Sequence, residues 1–313
     1  MTTSSPTHRV ILDTDIGTDV DDCLALAAVL GSPELDLVAV TTVYGDVHLR
    51  GRMVARLLRL AGRDDVPVHL GSSQTILGQR PIHWAGHEGV GLIDEADDNW
   101  QPAEGHAVDV IVRTVMDNPG GIHLLAVGPM TNVALAIRRE PRLLANLSGL
   151  TLMAGAIRGL DGLHLPLAEH NLKCDPEAAA IVFAQPEMKT VVPLDVTTRV
   201  RIRSSDLPTI REAGSGFHEA VARQVELYPS VVHGGATDLH DPLAAMALTR
   251  PELMTWRDLH VEIDVAGPHA GMTLARTPSE KVLANARVAL DVDITAAERA
   301  IVERIATPVT ARG

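Results

Sequence analysis

The chain has 313 residues, 46% hydrophobic and 21% charged, enough for a substantial core and ordinary for a water-soluble globule. Its net charge of −13 excludes nucleic acid as an expected partner, since phosphate backbones attract basic surfaces, and only Lys173, Lys189 and Lys281 are present as lysines. Met1 to His8 lacks the apolar stretch of a signal peptide, no run reaches membrane-spanning length, and Cys23 and Cys174 read as small buried hydrophobes, so a cytoplasmic protein is expected.

Val10-Ile11-Leu12 reads as a buried strand running into Asp13, Asp15, Asp19, Asp21 and Asp22, five carboxylates in ten residues, with Asp19 a candidate cap for the helix Cys23 to Leu30. Leu35 to Val43 is a second strand. A helix follows with Val54, Leu57, Leu58 and Ala61 at helical spacing, then a short strand Val66 to Leu70. Residues 71–105 are long and irregular, as functional loops or lids are. His106 to Met116 is a helix, Ile122 to Val127 a strand, and Thr131-Asn132 the expected cap of the next helix, which Pro141 interrupts. Leu150 to Met153 is a strand followed by the Gly-rich loop 154–169. Asp175-Pro176-Glu177 reads as N-cap, first-turn proline and first-turn acid. Thr190 to Leu194 is a strand, Phe217 to Tyr228 a helix and 229–240 a loop; Asp241-Pro242 opens the helix Leu243 to Leu248. His260 to Val265 and Ala286 to Asp293 are strands, and Ala296 to Ile305 is a final helix. The alternation predicts an α/β fold, a mostly parallel sheet with helices on both faces. Residues 1–9 are expected to be a disordered tail, 10–306 one domain and 307–313 a C-terminal tail. In such sheets ligands bind beyond the carboxyl ends of the strands, so Asp15, Asp46, Val127 and the 154–169 loop should converge on one acidic crevice.

Carboxylates packed this densely repel one another unless a cation sits among them or protons are retained, and clustered oxygen ligands suit Ca²⁺ or Mg²⁺. An EF-hand loop counted from Asp13 fails, because Thr18 and Leu24 stand where Gly and Glu are needed. Gly17 alone does not make a dinucleotide fingerprint. The scarcity of aromatics, 2% of the chain, makes Trp84 and Tyr228 candidates for flanking a planar ligand.

Four separated motifs occur in order: Asp13-x-Asp15 with Gly17 and Asp21-Asp22; Val127-Gly128-Pro129-Met130-Thr131-Asn132; Glu169-x-Asn171 followed by Asp175-Pro176-Glu177; and His240-Asp241-Pro242. Together they resemble the inosine–uridine nucleoside hydrolase family over nearly the whole chain, Val10 to Ile305. The resemblance implies Ca²⁺ held by Asp15, Asp22, Asp241 and the Val127 carbonyl, with Asp15 also the base that activates water. It implies that Asp21, Glu169 and Asn171 hold ribose hydroxyls and that the chain forms a homodimer or homotetramer; His240 is the candidate for protonating or hydrogen-bonding the leaving base, its other reading being to orient Asp241.

Departures bear on the base more than on the metal. Asp21-Asp22 lies two residues further from Asp15 than in the shorter family form, leaving open whether Asp19 or Asp21 faces the sugar. Asp46 occupies a substrate-side position where family members carry Asn. Ala85 replaces a base-side His, leaving His83 and His87 as substitutes, and a sugar-binding Asn is missing near Leu163. The expected activity is calcium-dependent hydrolysis of a ribonucleoside to free base and ribose. The alternatives are a haloacid-dehalogenase-type phosphatase with Asp13 as nucleophile, against which Ile16 spoils the turn, and a non-catalytic calcium-dependent nucleoside or sugar binder.

Overall fold

The structure is a computed structural model, described here for residues 8–158 and 163–309. Its centre is β1 (His8–Thr14), which pairs in parallel with β2 (Leu35–Thr42) on one side and β4 (Ile122–Ala126) on the other. Beyond β2 lies β3 (Val68–Leu70); beyond β4 lie β5 (Gly149–Met153), β6 (Lys189–Val192) and β11 (Ala286–Val292), all parallel. The antiparallel strands β9 (Met254–Ile263) and β10 (Thr273–Arg276) complete a nine-stranded sheet. A separate hairpin pairs β7 (Arg201–Arg203) with β8 (Ala236–Asp238). The continuous apolar run of β1 follows from burial on both faces: Val10 and Leu12 enter one core and Ile11 the other. The order reverses between β1 and β4, because the chain winds outward to β3 and then returns to the far side of β1. Such a switch point opens a crevice at the carboxyl ends of the two strands.

The helices are α1 (Asp21–Leu30), α2 (Val47–Leu60), α3 (Ala107–Asp117), α4 (Thr131–Arg139), α5 (Leu143–Asn146), α6 (His170–Cys174) and α7 (Pro176–Phe183). After β6 come α8 (Leu194–Thr197), α9 (Leu207–Arg211), α10 (Gly216–Leu227), α11 (Pro229–Gly234), α12 (His240–Thr249) and α13 (Ile294–Ile305). The pairing of α1 with α12 matters most for the site. Both carry buried alanines, Ala25, Ala27 and Ala28 on one and Ala244 and Ala245 on the other, and small side chains permit close approach. The first turn of α1 carries Asp21 and Asp22, and that of α12 carries Asp241, where acids favour the positive helix end.

Several sequence expectations change. His8 and Arg9 belong to β1, because they pair with Leu35 and Asp36, so strand structure begins inside the segment expected to be a tail; 1–7, 159–162 and 310–313 lie outside the described residues. The expected 229–240 loop contains α11 and β8, since Pro229 suits a first helical turn and Gly235 closes it at φ +72°. Asp19 does not cap α1: its carboxylate accepts from the adjacent Val20 N–H, and Val20 holds the cap position. Thr131 and Asn132 do not cap α4 either. Their side chains donate to Asp175 (2.6 Å) and Asp13 (2.8 Å), tying the β4–α4 turn to its neighbours.

Candidate active site

A cavity of about 440 Å³ opens at the β1/β4 switch point. Its floor is carboxylate: Asp15, Asp19, Asp21, Asp22 and Asp241. Its walls include Val127, Met153, Glu169, His170 and Asn171, together with His83, Ala85, His87, Tyr228 and His240. Asp21, Asp22 and Asp241 bring carboxylate oxygens within 4.8 Å of one another, and all three are at most 4% exposed. This trio joins residues more than two hundred positions apart, held by the Asp241 N–H donating to Asp21 Oδ2 at 3.3 Å. Asp22 is oriented by the Thr14 hydroxyl.

Burial pushes the carboxyls of Asp21, Asp22 and Asp241 well above their ordinary range, and repulsion adds to it, chiefly from Asp19 on Asp21, Asp15 on Asp22 and Asp21 on Asp241. Asp15 is also raised by burial, but the positive charges of Arg50 and His170 oppose that shift. Asp13, wholly buried behind the cluster, is pushed up to about 7 by burial, against hydrogen bonds from Thr41 and Asn132, and its Oδ2 has no hydrogen-bond partner. A buried, mutually repelling, oxygen-only donor set of this kind fits a hard divalent cation. Asp13 itself is 0% exposed with Oδ1 engaged by two donors, so it cannot act as a phosphoryl-accepting nucleophile.

The loop after β1 is shaped from beneath by Arg50, a fully buried residue of α2. Its guanidinium donates to the backbone carbonyls of Asp15, Ile16 (2.7 Å) and Tyr44 (2.6 Å), and to Thr18 Oγ1 at 3.1 Å. The planar fork of donors suits several carbonyls at once, as a lysine would not. Glu88, 9% exposed, joins this loop to the lid by accepting from Thr18 Oγ1 and from the N–H groups of Ala85 and Gly86 (2.7 Å each). Gly128 lets the β4 turn lie against Asp15: a Cβ there would sit 2.8 Å from Asp15 Oδ1 and 3.0 Å from its backbone N.

Elsewhere in the lining, Glu169 caps α6 by accepting from the Asn171 N–H (2.7 Å) and the Leu172 N–H, and also accepts from Gly155 N–H. Asn171 Nδ2 donates to the Val127 carbonyl at 2.6 Å and to the Met153 carbonyl at 3.2 Å, so the amide and the β4 strand end are already in register. His240 Nδ1 faces Thr197 Oγ1 at 2.8 Å, and burial pushes its pKa down.

Asp15, Asp21, Asp22, Val127, Glu169, Asn171, Tyr228, His240 and Asp241 are thus brought to one cavity. Asp46 and Trp84 are not among its lining. The exposed Asp46 carboxylate caps α2, accepting from His48 N–H and Leu49 N–H, and the Trp84 ring stacks on Arg50 at 5.1 Å. The tight trio contains Asp21 rather than Asp15. Arg50, Glu88 and His170 went unassigned from the sequence. The one signal for Arg50 was a charged residue three positions before Met53 on the apolar stripe of a helix; Glu88 gave none.

A carboxylate floor at the switch point of a mostly parallel sheet is the arrangement that comparison with known proteins assigns to the ribonucleoside N-glycosyl hydrolases. The profile of the inosine-uridine preferring nucleoside hydrolases matches residues 10–299. A non-specific ribonucleoside hydrolase of Klebsiella pneumoniae is 34% identical over 308 residues, covering 95% of this chain and 98% of that protein. Uridine nucleosidase 1 of Arabidopsis thaliana is 31% identical, covering 85% of this chain and 81% of that protein. The solved purine-preferring ribonucleoside hydrolase of Gardnerella vaginalis superposes with a TM-score of 0.85 at 28% identity, covering 95% and 98% of the two chains. The chain belongs to the inosine–uridine preferring nucleoside hydrolase family. That membership sets aside the phosphatase alternative.

Proposed function

We propose that this cavity hydrolyses the N-glycosidic bond of a free ribonucleoside with the help of calcium, releasing base and ribose. The observation that carries the reading is the buried Asp21–Asp22–Asp241 cluster, with Asp15, Glu169 and Asn171 lining the same cavity. Asp15, Asp22, Asp241 and the Val127 carbonyl would hold the cation. Bound there, calcium would grip a vicinal diol and polarise a water molecule.

Asp15 takes the proton of the attacking water. Its backbone is fixed from below by Arg50, so positioning makes up for modest basicity. Asp21, Glu169 and Asn171 hold ribose hydroxyls, and the surrounding carboxylates favour the positive charge that develops on the sugar ring. Tyr228 flanks the base, and His240, kept toward neutral by burial, hydrogen-bonds it. Trp84 acts at one remove, through the Arg50 guanidinium it covers, and Asp46 through the helix start that carries Arg50.

The test is to incubate the protein with inosine, uridine, cytidine and adenosine and assay reducing sugar, with and without chelator. Release lost on chelation and restored by Ca²⁺ is expected. Asp15→Asn should lower kcat by on the order of 10³-fold or more. Tight inosine binding without any sugar release would make the protein a nucleoside binder instead. Assembly as a homodimer or homotetramer belongs to the same proposal, and light scattering tests it. So does a cytoplasmic site of action, which suits two unpaired, buried cysteines. Among the described residues no helix is long and apolar enough to cross a membrane.

A further inference from the structure

Breaking a C1′–N bond leaves an electron pair on the base, and a poor leaving group needs a proton as it departs. The imidazoles of the cavity are not equally free to give one. His240 is only half-buried, with Nδ1 on Thr197 and Nε2 4.0 Å from Asp238, so both ring nitrogens face partners. The Nε2 of His87 faces the Thr18 carbonyl at 3.0 Å, and a carbonyl only accepts, so that proton is committed. Ala85 carries none.

His170 differs in three respects. It lines the cavity between the two proposed sugar contacts, Glu169 and Asn171, yet is solvent-exposed, so it can refill with protons from bulk water. Its ring is fixed, with Nε2 3.4 Å from Cys174 Sγ and its centroid 5.5 Å from that of His83 in an edge-to-face contact. The His83 backbone is pinned in turn, its N–H donating to the Tyr44 hydroxyl at 2.8 Å. Third, the ring lies close enough to Asp15 and Glu169 for a protonated imidazole there to favour the ionised form of each carboxylate.

We propose that His170 is a catalytic residue of this chain that protonates the departing base. This rests on reading the cavity as that of a ribonucleoside hydrolase. In the step, the C1′–N bond breaks with its electron pair passing to the base, and a ring N–H of the His170 imidazolium gives its proton to a base nitrogen. The water oxygen bonds to C1′ as its proton passes to Asp15. Solvent then takes the proton from Asp15 and returns one to His170. The substrates so selected are nucleosides whose bases leave poorly as anions, such as inosine and adenosine.

The experiment compares wild type, His170→Phe and His170→Gln on inosine and on 4-nitrophenyl β-D-riboside, whose leaving group departs without a proton. The position is exposed in the first turn of a five-residue helix, and melting curves verify that both variants fold. Expected is a fall in kcat/KM of about 10²- to 10⁴-fold on inosine, with the nitrophenyl riboside within roughly threefold of wild type. Equal losses on the two substrates, or no loss on inosine, overturn the assignment. A wild type that cleaves neither riboside would instead remove the hydrolase reading, and this proposal with it.

Discussion

At the scale of single residues, the site depends on side chains whose partners are distant in sequence. Arg50 is the clearest case, because one buried guanidinium shapes the backbone at Asp15, Ile16 and Tyr44. Arg50→Lys keeps the charge but offers one cluster of donors in place of a fork, leaving buried carbonyls unsatisfied. The expected result is a loss of roughly 2–4 kcal/mol in chemical denaturation with kcat lowered at least tenfold. A variant with unchanged stability and activity would remove Arg50 from the account. Gly128→Ala tests the close approach at the β4 turn: its Cβ would press on Asp15 Oδ1, the Asp15 backbone and Val43, so kcat should fall and urea denaturation should show a loss of about 1–3 kcal/mol. The acid-rich stretch was legible from sequence because like charges at a strand end demand an explanation. Arg50 and Glu88 were not, because nothing local marks which carbonyl or hydroxyl a side chain will find.

Elements carry the next level of constraint. β1, α1 and α12 could be read from apolar periodicity and strand-end motifs, and their bounds moved by only a few residues. Thr131, Asn132 and Asp19 misled as caps, because capping is judged from local sequence while their partners come from elsewhere in the fold. The short β7–β8 hairpin and α11 escaped notice for a related reason: three-residue strands carry too little pattern to distinguish them from loop. Within β6, Lys189 is fully buried and its ammonium donates to the Gln185 carbonyl, while burial pushes its pKa down to about 8 against the charge of Glu187. A lysine so shifted binds fewer protons folded than unfolded between pH 8 and about 10.4, so it costs stability at neutral pH and the cost fades as pH rises through that window. Lys189→Met should therefore stabilise the protein at pH 7 by roughly 2 kcal/mol, the advantage shrinking toward pH 10. Urea denaturation at the two pH values measures it, and a variant less stable than wild type at pH 7 would contradict it.

For the whole molecule, the order of the strands does what no single motif can. Reversal between β1 and β4 brings two strand ends together, and packing of α1 on α12 delivers Asp241 to a cluster begun by Asp21 and Asp22. The sheet type and the membership of the crevice could be read from the order of motifs along the chain. Which carboxylates would touch could not, since that depends on how closely two helices approach. Without a cation the cluster is a source of strain, so Asp241→Asn should raise or preserve the melting temperature of chelator-treated protein while abolishing activity, a stability–function exchange common at active sites. The most direct measurement is a calorimetric titration of Ca²⁺ into chelator-stripped protein, wild type and Asp241→Asn side by side. One calcium per chain in wild type and none in the variant is the expected outcome. Absence of binding in wild type, or equal binding by the variant, would contradict the claim that these distant carboxylates share one ion.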